Sequence, residues 1–309
     1  MSSTQSAKPL SAWIAFVAIC IIWGTTYLGI KIGVNYMPGL FLAGFRNTIA
    51  GFILISIAFF VAKEKPDAKT LGFLSMIGLL NLGLGNGLVS WAEEYVSSGL
   101  TAIICALSPL WIAIFSLIIL RDSRLNWMSI SGLFLGFLGI VGVFKDYFPE
   151  LANPDYRFGI LIIVIGNIGW GLGSVLLVRK ALKISVFYTS GIQMFAAGIV
   201  LLMSSSFTAP IPNLFEIAWE GWVAILYLIF FGSIISYLAY MHALNYIAPT
   251  RLSVYSYVNP LVAIWLGWLV LNELLTWFMF LSSLITVVGV WMVNRGYNMA
   301  KLQIVKKPL

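Results

Sequence analysis

Ser233, Ser236, Tyr237 and Tyr240 stand at positions i, i+3, i+4 and i+7 of one apolar run. On a helix that spacing gathers two serine hydroxyls and two phenols on a single face. Asn167, Trp170, Gly171 and Ser174 repeat the spacing, and Asn86, Ser90 and Glu93 make a third stripe. No HExxH motif, paired carboxylates within a run or Ser–His pair accompanies them, so covalent chemistry has little to build on. What the stripes offer is noncovalent. Hydroxyls and amides beside aromatic faces can hold a small amphipathic molecule, and the same groups can equally serve as hydrogen-bonding glue between helices.

The elements that carry these stripes follow from composition. Of 309 residues, 61% are hydrophobic and 9% charged, with a mean hydropathy of +0.97, whereas soluble domains carry roughly 25% charged residues. Apolar runs long enough to cross a bilayer, about 17 to 25 residues each, recur near 12–30, 38–62, 70–92, 97–120, 127–144, 158–178, 184–206, 221–241, 252–272 and 274–294. The expectation is an all-α integral membrane protein with ten transmembrane helices and no separate soluble domain. The first run reads as a retained helix, because Lys8 is its lone flanking cation and no clean small-x-small site follows.

The formal charge of +7 reports topology and calls for no nucleic acid. With the N-terminus inside, the cytoplasmic segments hold 14 Lys and Arg residues, the external loops hold 3, and Arg46 lies within a helix. The positive-inside rule then places both termini in the cytoplasm. Cys20 and Cys105 both fall in apolar runs, and neither a disulfide framework, a metal site nor a cofactor is expected from them.

The chain also matches itself. At an offset of 147, Trp23-Gly24 lies over Trp170-Gly171, Gly44 over Gly191 and Gly51 over Gly198. At 151, Ala92 lies over Ala243, Tyr95 over Tyr246 and Ser108-Pro109-Leu110 over Asn259-Pro260-Leu261. Four extra residues in the stretch SSSFTAPIPN account for the change of offset. Each copy holds five helices, an odd number, so the second enters the membrane from the opposite side. The expected units are residues 1–147 and 148–309. Inverted repeats of this kind characterise secondary transporters whose site lies between the halves near the midplane.

Three stretches carry a family resemblance: IIWGTTYLGIKIG, AEEYVSSGLTAIICALSPLW and ALNYIAPTRLSVYSYVNPLVAIWLGWLVLNELLT. They resemble the EamA family of the drug/metabolite transporter superfamily, as two tandem units covering nearly the whole chain. One departure is Asp122, which stands where the first unit usually has glutamate, while Glu273 keeps it. Both acids precede a helix, where negative charge suits the helix dipole. The resemblance implies transport of amino acids, sugars, nucleotide precursors or drugs, and leaves the cargo open.

Candidate site residues follow. Pro109 and Pro260 fall about 10 to 11 residues into their helices, roughly 15 to 17 Å deep, as kinks or hinges. Trp23, Tyr27, Trp170, Tyr237, Tyr240 and Tyr255 are candidate aromatic contacts, with Asn86, Ser90, Ser174 and Asn259 as polar ones. Ser108 and Asn259 precede the prolines and are placed to satisfy the backbone groups these free. Arg46 leans outward and Glu93, on an oppositely directed helix, leans inward, so an external gate pair is expected alongside simple snorkelling. Glu94, one residue on, faces elsewhere. His242, the single histidine, is a candidate for proton coupling or an interfacial residue. The expected function is a secondary carrier, in the export direction, for a small amphipathic metabolite, amino acid or drug. It would act by alternating access as a monomer or homodimer in a bacterial inner membrane. The alternatives are a channel-like facilitator, though no charge ring or filter motif is present, and an integral-membrane enzyme.

Overall fold

The computed structural model describes residues 10–121, 125–180, 182, 184–271 and 276–306. Asp122 and Glu273 lie outside the described residues, as do Lys8, Arg124, Lys183 and Lys307 of the cation count. The helices are α1 (Leu10–Gly33), α2 (Gly39–Val61), α3 (Ala68–Ala92), α4 (Leu100–Leu120), α5 (Trp127–Val143), α6 (Arg157–Lys180), α7 (Val186–Thr208), α8 (Trp219–Leu244), α9 (Tyr255–Leu271) and α10 (Trp277–Lys306). No strand occurs among the described residues. Side-chain oxygens open several of the helices. Asp67 accepts from Thr70 N at 2.9 Å, Asn126 from Ser129 N at 2.9 Å and Ser185 from Phe187 N at 3.3 Å, each satisfying an amide that has no intrahelical partner.

Among the described residues eight helices are long and apolar enough to cross a membrane, and nine if a bent pair counts as one span. That differs from the ten expected spans at two places. α5 stops after 17 residues, and the chain bends by 70° into the short helices between Lys145 and Ala152. α9 also has 17 described residues, preceded by the separate turn Pro249–Leu252. The 17 residues of α5 rise only about 25 Å, less than the roughly 30 Å hydrocarbon layer. The outer faces suit lipid: Phe52, Phe60, Phe134 and Met203 are exposed, and Trp127, Trp219 and Trp277 sit at helix starts, where indoles anchor at an interface. The chain is a multi-pass membrane protein.

Close packing rests on glycine where two helices cross. A side chain at Gly51 would run into the Phe195 amide and the Gly191 carbonyl, and one at Gly44 into Leu202 and the Gly198 carbonyl. α2 and α7 are thus held backbone to backbone, the geometry small residues permit between membrane helices. The Gly132, Gly136, Gly139 and Gly142 seam of α5 packs in the same way on Ser282, Thr286 and Gly289 of α10, with Tyr257 also against Gly136.

The remaining contacts come in matched sets. α1 packs on α8 and α9, while α6 packs on α3 and α4. Gly24 abuts Asn259 and Val262, and Gly171, 147 positions later, abuts Trp111 and Ile112, which lie 151 positions before Val262 and Ala263. α3 and α8 each contain a π-helical stretch, Leu79–Gly87 and Leu228–Ile235. These widened turns are the kind found at functional sites.

Candidate functional site

A cavity of about 780 Å³, counting the part open to solvent, lies among these helices. Of the predicted binding residues, Trp23, Tyr27, Asn86, Trp170, Tyr237, Tyr255 and Asn259 line it. Ser90, Ser174 and Tyr240 do not; they form its backing. Ser90 Oγ donates to Asn86 O at 3.1 Å, and Tyr240 OH donates at 2.8 Å to Ser174 Oγ, which itself donates to Trp170 O at 2.7 Å. Of these bonds, Tyr240–Ser174 joins α8 to α6, while Ser90 and Ser174 bond back to their own helices.

The aromatic side chains meet as one cluster. Trp23 lies with its ring centroid 4.9 Å from Tyr255 and 5.5 Å from both Trp170 and Tyr240, while Tyr237 stacks 6.0 Å from Tyr240. Such offset and edge contacts fix ring positions. Trp23 Nε1 donates to the Gly232 carbonyl at 3.2 Å, tying α1 to the π-helical stretch of α8. Tyr237 OH donates to Gln193 Oε1 at 2.8 Å, and Gln193 in turn contacts Met241 Sδ at 4.0 Å.

The proline neighbours behave otherwise than expected. Ser108 Oγ donates across to Asn167 Oδ1, and Asn167 Nδ2 donates to the Ile104 and Ile163 carbonyls. The Asn259 amide is placed to donate to the carbonyls of Cys20, 3.1 Å away, and Tyr255, 2.8 Å away. Neither Ser108 nor Asn259 reaches the carbonyl four residues before its proline; Ser108 binds between helices, and Asn259 binds both α1 and its own helix. Pro109 opens the segment Ser108–Phe115 after a break in α4 at Ala106 and Leu107, where a proline is readily accommodated. Pro260 sits inside continuous α9.

Arg46 and Glu93 are both buried, at 1% and 0% exposure. Arg46 Nη2 donates to Asn86 Oδ1, so the guanidinium meets the predicted stripe two turns short of Glu93. The Glu93 carboxylate has no hydrogen-bond partner on either oxygen, and its backbone carbonyl accepts from Lys31 Nζ at 3.0 Å. Glu94 has a structural task. Its carboxylate accepts from Gly39 N and places an anion at the N-terminus of α2, where the dipole favours it. His242 lies at the end of α8 outside the cavity lining, its Nε2 3.0 Å from Ser11 Oγ.

Asn47 and Met194 also line the cavity, from α2 and α7, and sequence reasoning missed both helices as contributors. Asn47 Nδ2 is buried without a partner. A polar side chain in the otherwise apolar stretch following Arg46 was the available signal, and Gln193 in α7 was another.

Comparison with known proteins gives the family and the fold. The EamA-like transporter family matches residues 10–145 and again 157–295. "Uncharacterized inner membrane transporter YedA" of Escherichia coli K12 is 35% identical over 288 residues, covering 91% of this chain and 90% of that protein. "Protein PecM" of Dickeya dadantii is 28% identical, covering 84% of each. A solved crystal structure superposes with a TM-score of 0.78 at 18% identity, covering 93% of this chain and 99% of its own, which speaks for the fold. With two family matches spanning nearly its whole length, the chain belongs to the EamA-like transporter family.

Proposed function

We propose that the protein is a secondary carrier that moves a small amphipathic molecule by alternating access. Its ten crossing helices would form two inverted five-helix repeats. The observation that carries this reading is the make-up of the cavity wall. Trp23 and Trp170, Asn47 and Met194, Asn86 and Tyr237, Cys105 and Ser256, Ser108 and Asn259 all line it, and each pair is related by the 147 or 151 offset. A ligand there touches equivalent positions of both halves, as rocking of one half against the other requires.

Inversion has its own support. Lys31 at the end of α1 meets Glu93 beyond the end of α3, and Gly159 at the start of α6 packs on Val96, so α6 begins at the face where α1 ends. α5 and α9 complete the count of ten, the 17-residue α5 by tilting little or thinning the layer around it. The cation distribution favours cytoplasmic termini, and the naming of the Escherichia coli relative favours an inner membrane. Export of a small metabolite, amino acid or drug is the direction and cargo class proposed here; the family resemblance by itself implies only transport. Arg46 and Glu93 would then seal the outer end.

A carrier is favoured over a pore because the Tyr237–Gln193 and Tyr240–Ser174 hydrogen bonds tie α8 to α7 and α6 beside the cavity, where a continuous channel would pass. It is favoured over an enzyme because, among the described residues, the lining sets no nucleophile beside a base. A thermal-shift screen of metabolites on purified protein identifies ligands that bind the folded state. The best of these, loaded into proteoliposomes, should show saturable uptake and counterflow. Unsaturable flux with unitary currents, or chemical alteration of the ligand, would overturn the carrier reading.

A further inference from the structure

A second cavity of about 810 Å³, again counting space open to solvent, lies between the ends of α6 and α8 and the start of α7. Leu177, Val186, Met241 and Leu244 give it apolar walls, and Thr189 and Asn245 supply polar ones. Its character is amphipathic, like that of the central cavity. The two are separated by a thin partition. Tyr237 and Met194 face the central cavity, Met241 faces the second, and Gln193 touches both Tyr237 and Met241.

The partition has a counterpart. Gln193 lies 147 positions after Arg46, and Tyr237 lies 151 after Asn86. The Gln193–Tyr237 and Arg46–Asn86 hydrogen bonds therefore occupy equivalent places in the two halves. They stand at opposite ends, because α2 starts at the Glu94 face and α7 starts where α6 has finished crossing. The positions around them also correspond: Lys31, Glu93 and Glu94 answer to Val178, Leu244 and Asn245. All three of the latter line the second cavity. At the Arg46 end the equivalent positions carry charged residues.

We propose that the second cavity is a vestibule, an additional binding site for the same amphipathic cargo, and that the Tyr237–Gln193 hydrogen bond is the latch between it and the central cavity. Arg46–Asn86 is the matching latch at the other end. The proposal rests on the carrier reading for its cargo. The latch is tested without any cargo, so the two fail separately.

In a Cys20→Ala, Cys105→Ala background, Thr189→Cys reports on the vestibule and Ser233→Cys on the central cavity. A membrane-impermeant, positively charged methanethiosulfonate is added to one side of sealed vesicles at a time. Thr189→Cys should react from one side only. From that side Ser233→Cys should react slowly, and Tyr237→Phe should speed it about three- to tenfold, the shift expected for losing one hydrogen bond in a two-state closure. Asn86→Ala should speed it from the opposite side only. Gln193→Leu repeats the first test where Tyr237→Phe lowers yield. No acceleration in either latch variant, acceleration from both sides alike, or a Thr189→Cys that reacts from neither side would overturn the proposal.

Discussion

Asn47 illustrates how a single side chain can be held in place at a cost. Its amide nitrogen is buried at the cavity wall without a partner, an arrangement that typically costs about 1–3 kcal/mol. Asn47→Leu should therefore leave the fold as stable or raise its apparent Tm, while increasing the half-saturation concentration for cargo. Equal affinity in the variant would remove Asn47 from the site. A residue that only supports the fold would move stability in the other direction. Much of the wall was legible at this scale, since periodic Ser, Asn and aromatic residues in an apolar chain have few places to go except inward. Which members touch the cavity was not. Ser90, Ser174 and Tyr240 share their stripes with lining residues, yet a shift of one turn puts them behind the wall. Helix direction lets Arg46 either approach Glu93 or snorkel; its bond to Asn86, with Lys31 on the Glu93 carbonyl, is visible only in the fold. The capping of α2 by Glu94 leaves no local signal, because the helix it caps is a different one.

Among the elements, the α2–α7 crossing is the most exacting. Gly51→Leu would drive a branched side chain into the Phe195 backbone, where flexible neighbours cannot give way. It should cost at least the 1–3 kcal/mol typical of overpacking, read as a lower melting temperature and poor yield. Gly72 is the control: nothing lies within 4 Å of its added methyl, so Gly72→Ala should be neutral or gain up to about 1 kcal/mol of helix propensity. Equal effects at the two sites would mean that the crossing is not close-packed in the membrane. The helices themselves were readable from apolar run length, with ends within a few residues of those observed except at α10, which continues past the expected 294 to Lys306 because its polar last turns carry no apolar signal. The interruptions were not. The π-helical stretches of α3 and α8 arise where glycines and aromatic side chains of other helices press against the turn, as Trp23 does on Gly232. Such contacts exist only after the fold has formed.

For the whole molecule, orientation is the property most open to direct measurement. Single cysteines at Lys65 and Lys180 should resist an impermeant thiol reagent in intact cells, and one at Asn213 should react. All three positions lie at or beyond helix ends where a label does not disturb packing. Labelling at Lys180 with protection at Asn213 would reverse the proposed topology. A further property of the whole follows from the mismatch between its two ends. Lys31, Arg46 and Glu93 are charged, and their counterparts Val178, Gln193 and Leu244 are not. Moving one elementary charge through a full 100 mV is worth about 2.3 kcal/mol, and through part of it proportionately less. On the carrier reading proposed above, opening the charged end would do electrical work and opening the neutral end almost none. Membrane voltage would bias the resting molecule toward one of its two states and set a different speed for each half of the cycle, even when the molecule carried is itself uncharged.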